Sequence, residues 1–424
     1  AVGLACFFLV LVGAWKILTR ELACPIQHGP VFPRALPIGG LIALAVGGAA
    51  VALPAYPASL YPQQAPSFPG ISAETPFLCG TTAAPERTYD GQAVFEGILA
   101  RVAANPNAST PEYGMLALAT GTPEWQGRFH DALLADSTKG LYTGPANSIK
   151  FGQYEAALRV YYYVRAREAF PTLFTPSEQG QIQKWLAEVN RRSMTVEWVD
   201  WLYASALGKW PLGPYETQEN GAGLLALLQS TSLADPSLSL ANQAYLAADP
   251  RGFTARFRNT DDALKYQPEW INNAYFQSLA EGMVVTGNVE RAFEWLLLQA
   301  LPDGAPMSYN PPSHFSLAPA AYFGASLLGD RQLLWLSGSE LQALLPERDY
   351  LYAQPGLERA LNLTAVPPTT GSCLLYGDSG LPTQAGPLAP DKIVFRGGWD
   401  ANSPYLMLDL RFTGWHRYKA TNAV

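Results

Sequence analysis

From about residue 90 to residue 350 the chain is a succession of capped, apolar-striped segments with no convincing strand between them, and this limits its fold more than any other feature. Thr122-Pro123-Glu124 opens one helix with a cap and a proline at its first position, and Trp125, Phe129 and Leu133 form the stripe. Thr175-Pro-Ser-Glu178 reads as a capping box for a helix through Ile182, Trp185, Leu186 and Val189. Further segments near 92–104, 150–170, 195–207, 218–229, 239–248, 270–285, 288–300, 317–328 and 339–345 predict a mainly α protein built from helical hairpins packed in series. No period of about 34 or 40 residues recurs, which disfavours a tetratricopeptide or HEAT array. A closed or nearly closed α/α toroid is expected, with its inner helices ending at a central cleft and long polar loops at 208–219 and 302–316.

The flanks differ in texture. Residues 1–17 and 35–52 are two uncharged apolar runs that approach the ~20 residues of a bilayer span. Lys16, Arg20 and Arg34 between them put that loop on the cytoplasmic side and everything beyond residue 55 outside, so a membrane-anchored, extracytoplasmic main domain is expected. Pro- and Ser-rich sequence from 56 to 89 reads as an extended linker. After Pro355, Cys373–Tyr376, Lys392–Phe395 and Tyr405–Phe412 are short β-type runs between Gly, Pro and Asp clusters, the opening strands of an antiparallel β-sandwich. The expected domains are thus 1–55 (two transmembrane helices), 56–89 (linker), 90–355 (toroid) and 356–424 (incomplete sandwich). The chain starts at Ala1 without Met and stops within a motif, so we read it as a piece of a longer protein.

Within the helical region, Gly213-Pro-Tyr-Glu-Thr-Gln-Glu-Asn-Gly-Ala-Gly-Leu-Leu-Ala-Leu227 turns a polar loop into an apolar helix. Asn220 shares its face with Leu224 and Leu227, which directs its amide inward, and Gly221 and Gly223 allow a neighbour to approach. The bland reading of the same residues is a capped helix end. A net charge of −7 argues against nucleic acid as a partner. Aromatic residues at 12% fit either a larger core or sugar-stacking platforms, with Trp198, Trp201, Trp210 and Trp270 as the candidates. Four cysteines show no metal-ligand spacing, and Cys79–Cys373 is one pairing open to them.

Val394-Phe-Arg-Gly-Gly-Trp-Asp400, the strand after it and Gly414-Trp-His-Arg-Tyr-Lys419, taken with the Tyr215–Gly221 stretch and Leu301–Asn310, resemble the heparinase II/III-like polysaccharide lyases over about residues 90–424. The resemblance implies an α/α toroid joined to a β-sandwich, and β-elimination on an acidic, uronic-acid-containing polysaccharide. It departs from the family pattern in the loop, where Trp415 precedes His416 and Lys419 stands in the place of an acid. Elimination needs hydrogen-bond donors to neutralise the uronate and a base for the C5 proton. The implied catalytic residues are Tyr215, Asn220, His416 and Tyr418, and the implied substrate-binding residues are Gln218, Glu219, Trp270, His314 and Arg396. Arg396 also has a structural reading, as the buried partner of Asp400 or a neighbouring acid. No cofactor is evident, and a divalent metal in the rest of the sandwich stays open. Two other readings remain: a toroid glycoside hydrolase using Glu216, Glu219 and Glu269, and a non-catalytic, membrane-tethered polysaccharide-binding or surface-assembly module.

Overall fold

The computed structural model describes residues 70–72, 75–82, 90–139, 146–207, 219–247, 256–257, 267–280, 287–304, 318–341, 354–357, 363–378 and 388–410, all within the unit that begins at Ala55. Among them are eleven helices: α1 (Gly91–Ala104), α2 (Thr110–Thr120), α3 (Pro123–Thr138), α4 (Ala146–Ala169), α5 (Pro176–Leu207), α6 (Glu219–Ser230), α7 (Ser239–Ala247), α8 (Gln267–Ala280), α9 (Asn288–Gln299), α10 (Ala318–Leu328) and α11 (Arg331–Leu341). Four strands, β1 (Phe77–Thr81), β2 (Thr370–Asp378), β3 (Leu388–Arg396) and β4 (Tyr405–Asp409), form one antiparallel sheet in that order.

The helices obey the caps written in the sequence. Thr122 is the N-cap of α3 with Pro123 at its first position. At α5 the Thr175 amide donates to Glu178 Oε2 at 2.8 Å and the Glu178 amide to Thr175 Oγ1 at 3.4 Å. His130 on α3 lies 3.2 Å from the same carboxylate and stacks on Phe174, tying α3 to the start of α5. A second capping box, Ser109 with Glu112, opens α2.

α2 packs on α4, α4 on α6 and α6 on α8, while α3 packs on α2 and α5, α5 and α7 on α6 and α9 on α8, and α11 returns to α1. Two helices are buried along most of their length: α6 from Gly221 to Leu228, and α10 from Ala318 to Ala325. α3 and α5 instead bury single stripes, such as Phe129 and Leu133 or Ile182, Trp185, Leu186 and Val189. Close approach between α6 and α8 needs glycine. A Cβ on Gly223 of α6 would meet Asn273 Oδ1 of α8 at 2.1 Å and Asn273 Cβ at 2.9 Å.

The sheet is bound to the helices through its inner face. Phe77 of β1 sits 5.7 Å from the Trp295 ring of α9, and Trp399 meets Trp335 of α11 edge-on at 5.5 Å. Arg396 Nη2 donates to the carbonyls of Ala300 (2.6 Å) and Leu298 (3.2 Å), and Tyr405 Oη donates to that of Gln299 (3.0 Å). These are the last carbonyls of α9, which have no partners inside the helix and which cations favour through the helix dipole. The guanidinium also lies 3.6 Å from the Trp399 ring centroid. Burial pushes Arg396 down to about 10, so it stays charged at neutral pH, and burial pushes the Tyr405 phenol up to about 12.

The Phe-Arg-Gly-Gly-Trp-Asp motif is therefore a junction. Gly397 and Gly398 face Pro404 and Ser403 so closely that a Cβ would fall within 2.7 Å of the first and 2.5 Å of the second. Asp400 does not pair with Arg396: its carboxylate accepts from the Asn402 amide (3.0 Å) and the Ser403 hydroxyl (2.5 Å), closing the β3–β4 turn.

Three expectations change. Phe77–Thr81, inside the stretch whose composition reads as linker, pairs with β2, and its Cys79 forms a disulfide with Cys373. The segment through Val189 and the segment at 195–207, expected as separate helices, form one helix, α5, within which the fully buried Asn190 exchanges amide hydrogen bonds with Asn242 of α7 at 3.0 and 2.9 Å. Membrane anchoring is withdrawn: no helix among the described residues is long and apolar enough to cross a membrane, and the two apolar runs on which it was placed lie outside those residues.

Two outcomes follow for urea unfolding. Arg396→Met strips the donors from two buried carbonyls and should cost at least ~2 kcal/mol, against ~1 kcal/mol for Tyr405→Phe; equal losses would refute the assignment of Arg396 as the main clamp. Reduction of Cys79–Cys373 should cost about 2–4 kcal/mol, whereas a Cys79→Ser, Cys373→Ser double variant should not respond to reductant.

Candidate functional site

The expected site is anchored on α6. That helix begins at Glu219, with Asn220 as its second residue, so both stand in the first turn, where free backbone amides and the positive end of the helix dipole favour an anionic ligand. Tyr215, Gln218, His314, His416 and Tyr418 lie outside the described residues, as do the side chains of Glu219 and Asn220.

Two of the proposed substrate-binding residues belong elsewhere. Trp270 on α8 is fully buried, so its ring has no free face to offer a sugar. Arg396 is 5% exposed and holds the end of α9, which assigns it to the junction between sheet and helices.

What the structure brings together, and what motif reading missed, is a belt of amides around α8. Glu269, Asn272, Asn273 and Gln277 fall at i, i+3, i+4 and i+8, one face of that helix, and all are buried. Asn272 Nδ2 donates to Tyr154 Oη on α4 and to Gln354 Oε1, each at 2.9 Å. Gln354 Nε2 reaches the same phenol at 3.2 Å, and Tyr162 Oη donates to the Gln354 carbonyl at 2.6 Å. Gln153, one residue before Tyr154, is fully buried, and neither its amide nitrogen nor its oxygen has a hydrogen-bond partner among the described residues. A buried amide without partners costs about 1–3 kcal/mol, so its retention asks for a reason. Helix periodicity within α8 was the usable signal for this belt, whereas Tyr154 and Gln354 stand 200 positions apart and share no motif.

Apart from Glu269, the side chains of the belt are uncharged amides and phenols, and their hydrogen bonds fix α4, α8 and the segment around Gln354 against one another. Glu269, one of the three carboxylates of the hydrolase reading, is 2% exposed within α8, while Glu216 and the side chain of Glu219 lie outside the described residues. Among the described residues no cluster of His, Cys, Asp or Glu could hold a metal ion.

No family model and no curated protein matches the chain. Among solved structures it is similar to the crystal structure of heparinase III, at 12% identity and a TM-score of 0.39, over 82% of this chain and 56% of that one. The chain thus spans little more than half the length of that enzyme, and a likeness at this level carries no argument about activity.

Proposed function

We propose that the protein is a polysaccharide lyase that cleaves an acidic, uronic-acid-containing polysaccharide by β-elimination. In this reading the alternating buried and amphipathic helices are the inner and outer layers of an α/α toroid, and the four strands open a β-sandwich. The observation that carries it is the setting of α6: a helix buried on every side from Gly221 to Leu228, locked against the amide-bearing α8, that begins with Glu219 and Asn220. A donor on so fixed a helix is what neutralising a substrate carboxylate demands, since pre-organised donors need no rearrangement as charge develops.

The proposed roles follow from that chemistry. Asn220 and Gln218 donate to the uronate, and Glu219 and His314 orient the sugar. Tyr215 or His416 removes the C5 proton; its electron pair forms the C4–C5 double bond as the C4–O bond breaks, and Tyr418 protonates the departing oxygen. The substitution of Lys419 for an acid leaves any metal-supported variant without a ligand at that position.

The products must then carry an unsaturated uronate that absorbs in the near ultraviolet. Asn220→Ala should lower turnover by about 10²–10³ while leaving the unfolding midpoint close to that of the parent. Cleavage without unsaturated ends, or an unaffected Asn220→Ala variant, would overturn the assignment.

A further inference from the structure

A groove of about 570 Å³ runs along one face of α5, lined by Gln181, Lys184, Trp185, Glu188, Arg191 and Arg192 and closed by Lys139 and Asp235. It falls within the ~300–1,000 Å³ typical of ligand sites. The α5 residues are spaced i, i+3, i+4, i+7, i+10 and i+11, so they form a single stripe. Its charge runs against that of the protein, which carries −7 overall. Four cations line it with two acids: Glu188 binds Arg191 and Arg192, Lys139 lies 3.9 Å from Asp136 on its exposed flank, and Asp235 Oδ1 accepts from the Ser237 amide (2.9 Å) and hydroxyl (2.7 Å), so the lining keeps a positive excess. Lys184 is exposed and has no ion-pair partner among the described residues. In the wall, the Trp185 indole is 7% exposed, and its Nε1 is buried without a hydrogen-bond partner among the described residues. What the lining presents to a ligand oxygen is therefore its cations, with the Trp185 ring as part of the wall.

The groove is also far from the expected catalytic mouth. The Asp235 amide is held by Asn190 Oδ1 at 2.9 Å, just past the end of α6, where the Leu233 and Ala234 amides close onto the Leu228 carbonyl. Asn220 sits in the first turn of that 12-residue helix, which at ~1.5 Å per residue is about 18 Å long.

We propose that this groove is a second, non-catalytic binding site for the anionic groups of a polysaccharide, gripping the polymer one helix length from the bond that is cut. The polymer's identity rests on the proposed lyase reading; the anion chemistry of the groove does not. The test is calorimetric titration of the Asn220→Ala protein with tetragalacturonate, neutral maltotetraose and inorganic phosphate. Tetragalacturonate should bind, maltotetraose should not, and Lys184→Glu combined with Lys139→Glu, both on exposed side chains, should weaken binding at least tenfold. In the parent, the same pair should raise KM for long chains and leave turnover unchanged. Unaltered affinity in the charge-reversal variant, or equal binding of maltotetraose, would overturn the proposal, and phosphate binding as tight as the tetrasaccharide's would overturn its assignment to sugars. Lysine-dependent binding in a protein that forms no unsaturated product would support the groove while defeating the lyase reading.

Discussion

The end of α9 holds the molecule together. Three successive carbonyls, of Leu298, Gln299 and Ala300, receive hydrogen bonds from Arg396 and Tyr405 on adjacent strands. One positive charge is taken out of water to do this, and no carboxylate among the described residues pairs with its guanidinium. Backbone dipoles and the Trp399 ring take the place of a counter-ion. Such a contact has a fixed direction, because the Leu298 and Gln299 carbonyls point along the helix axis and Ala300 is the extended C-cap that follows them. It sets how the sheet meets the helices more narrowly than apolar packing of Phe77 on Trp295 could.

The legible part of the fold was what local physics decides. Caps at Thr122 and Thr175, stripes on α3 and α5, and the short β-type runs of β2 to β4 all act within a few residues; each is found where it was read, with β4 closing at Asp409. Errors arose where a distant partner decides. The segments through Val189 and at 195–207 read as two helices but are one, and the amide of Asn190 between them is satisfied by Asn242, 52 positions on. Phe77–Thr81 has the composition of a linker until β2 supplies its hydrogen bonds. The pairing of Arg396 with Asp400 was the reasonable local choice, yet Asp400 serves the turn and the arginine reaches nearly a hundred residues back. The motif that carried the family resemblance therefore reports on assembly, and the expected catalytic residues gain no support from it.

The inner helices show why an apolar helix tolerates polar residues. α8 carries a buried stripe of Glu269, Asn272, Asn273 and Gln277, and each such group must find a partner or impose a cost. Asn272 does so through Tyr154 and Gln354, which ties α4, α8 and the segment after α11 to one registration. Slippage of any helix by a turn would break several hydrogen bonds together, so the belt specifies an arrangement that leucines alone would leave degenerate.

The disulfide places Cα atoms 4.1 Å apart although 294 positions separate them, and the Thr82 amide meets the Thr369 carbonyl at 2.9 Å directly beside it. All eleven helices thus leave the sheet and return to it at one point, between two neighbouring strands. In architectural terms the helical part is a cassette inserted into a β-hairpin, with its entry and exit adjacent, the arrangement that makes an inserted domain exchangeable. A single backbone cut anywhere inside it would leave one covalent molecule, and the strands on either side would hold their pairing while the helices between them diverge in length or number.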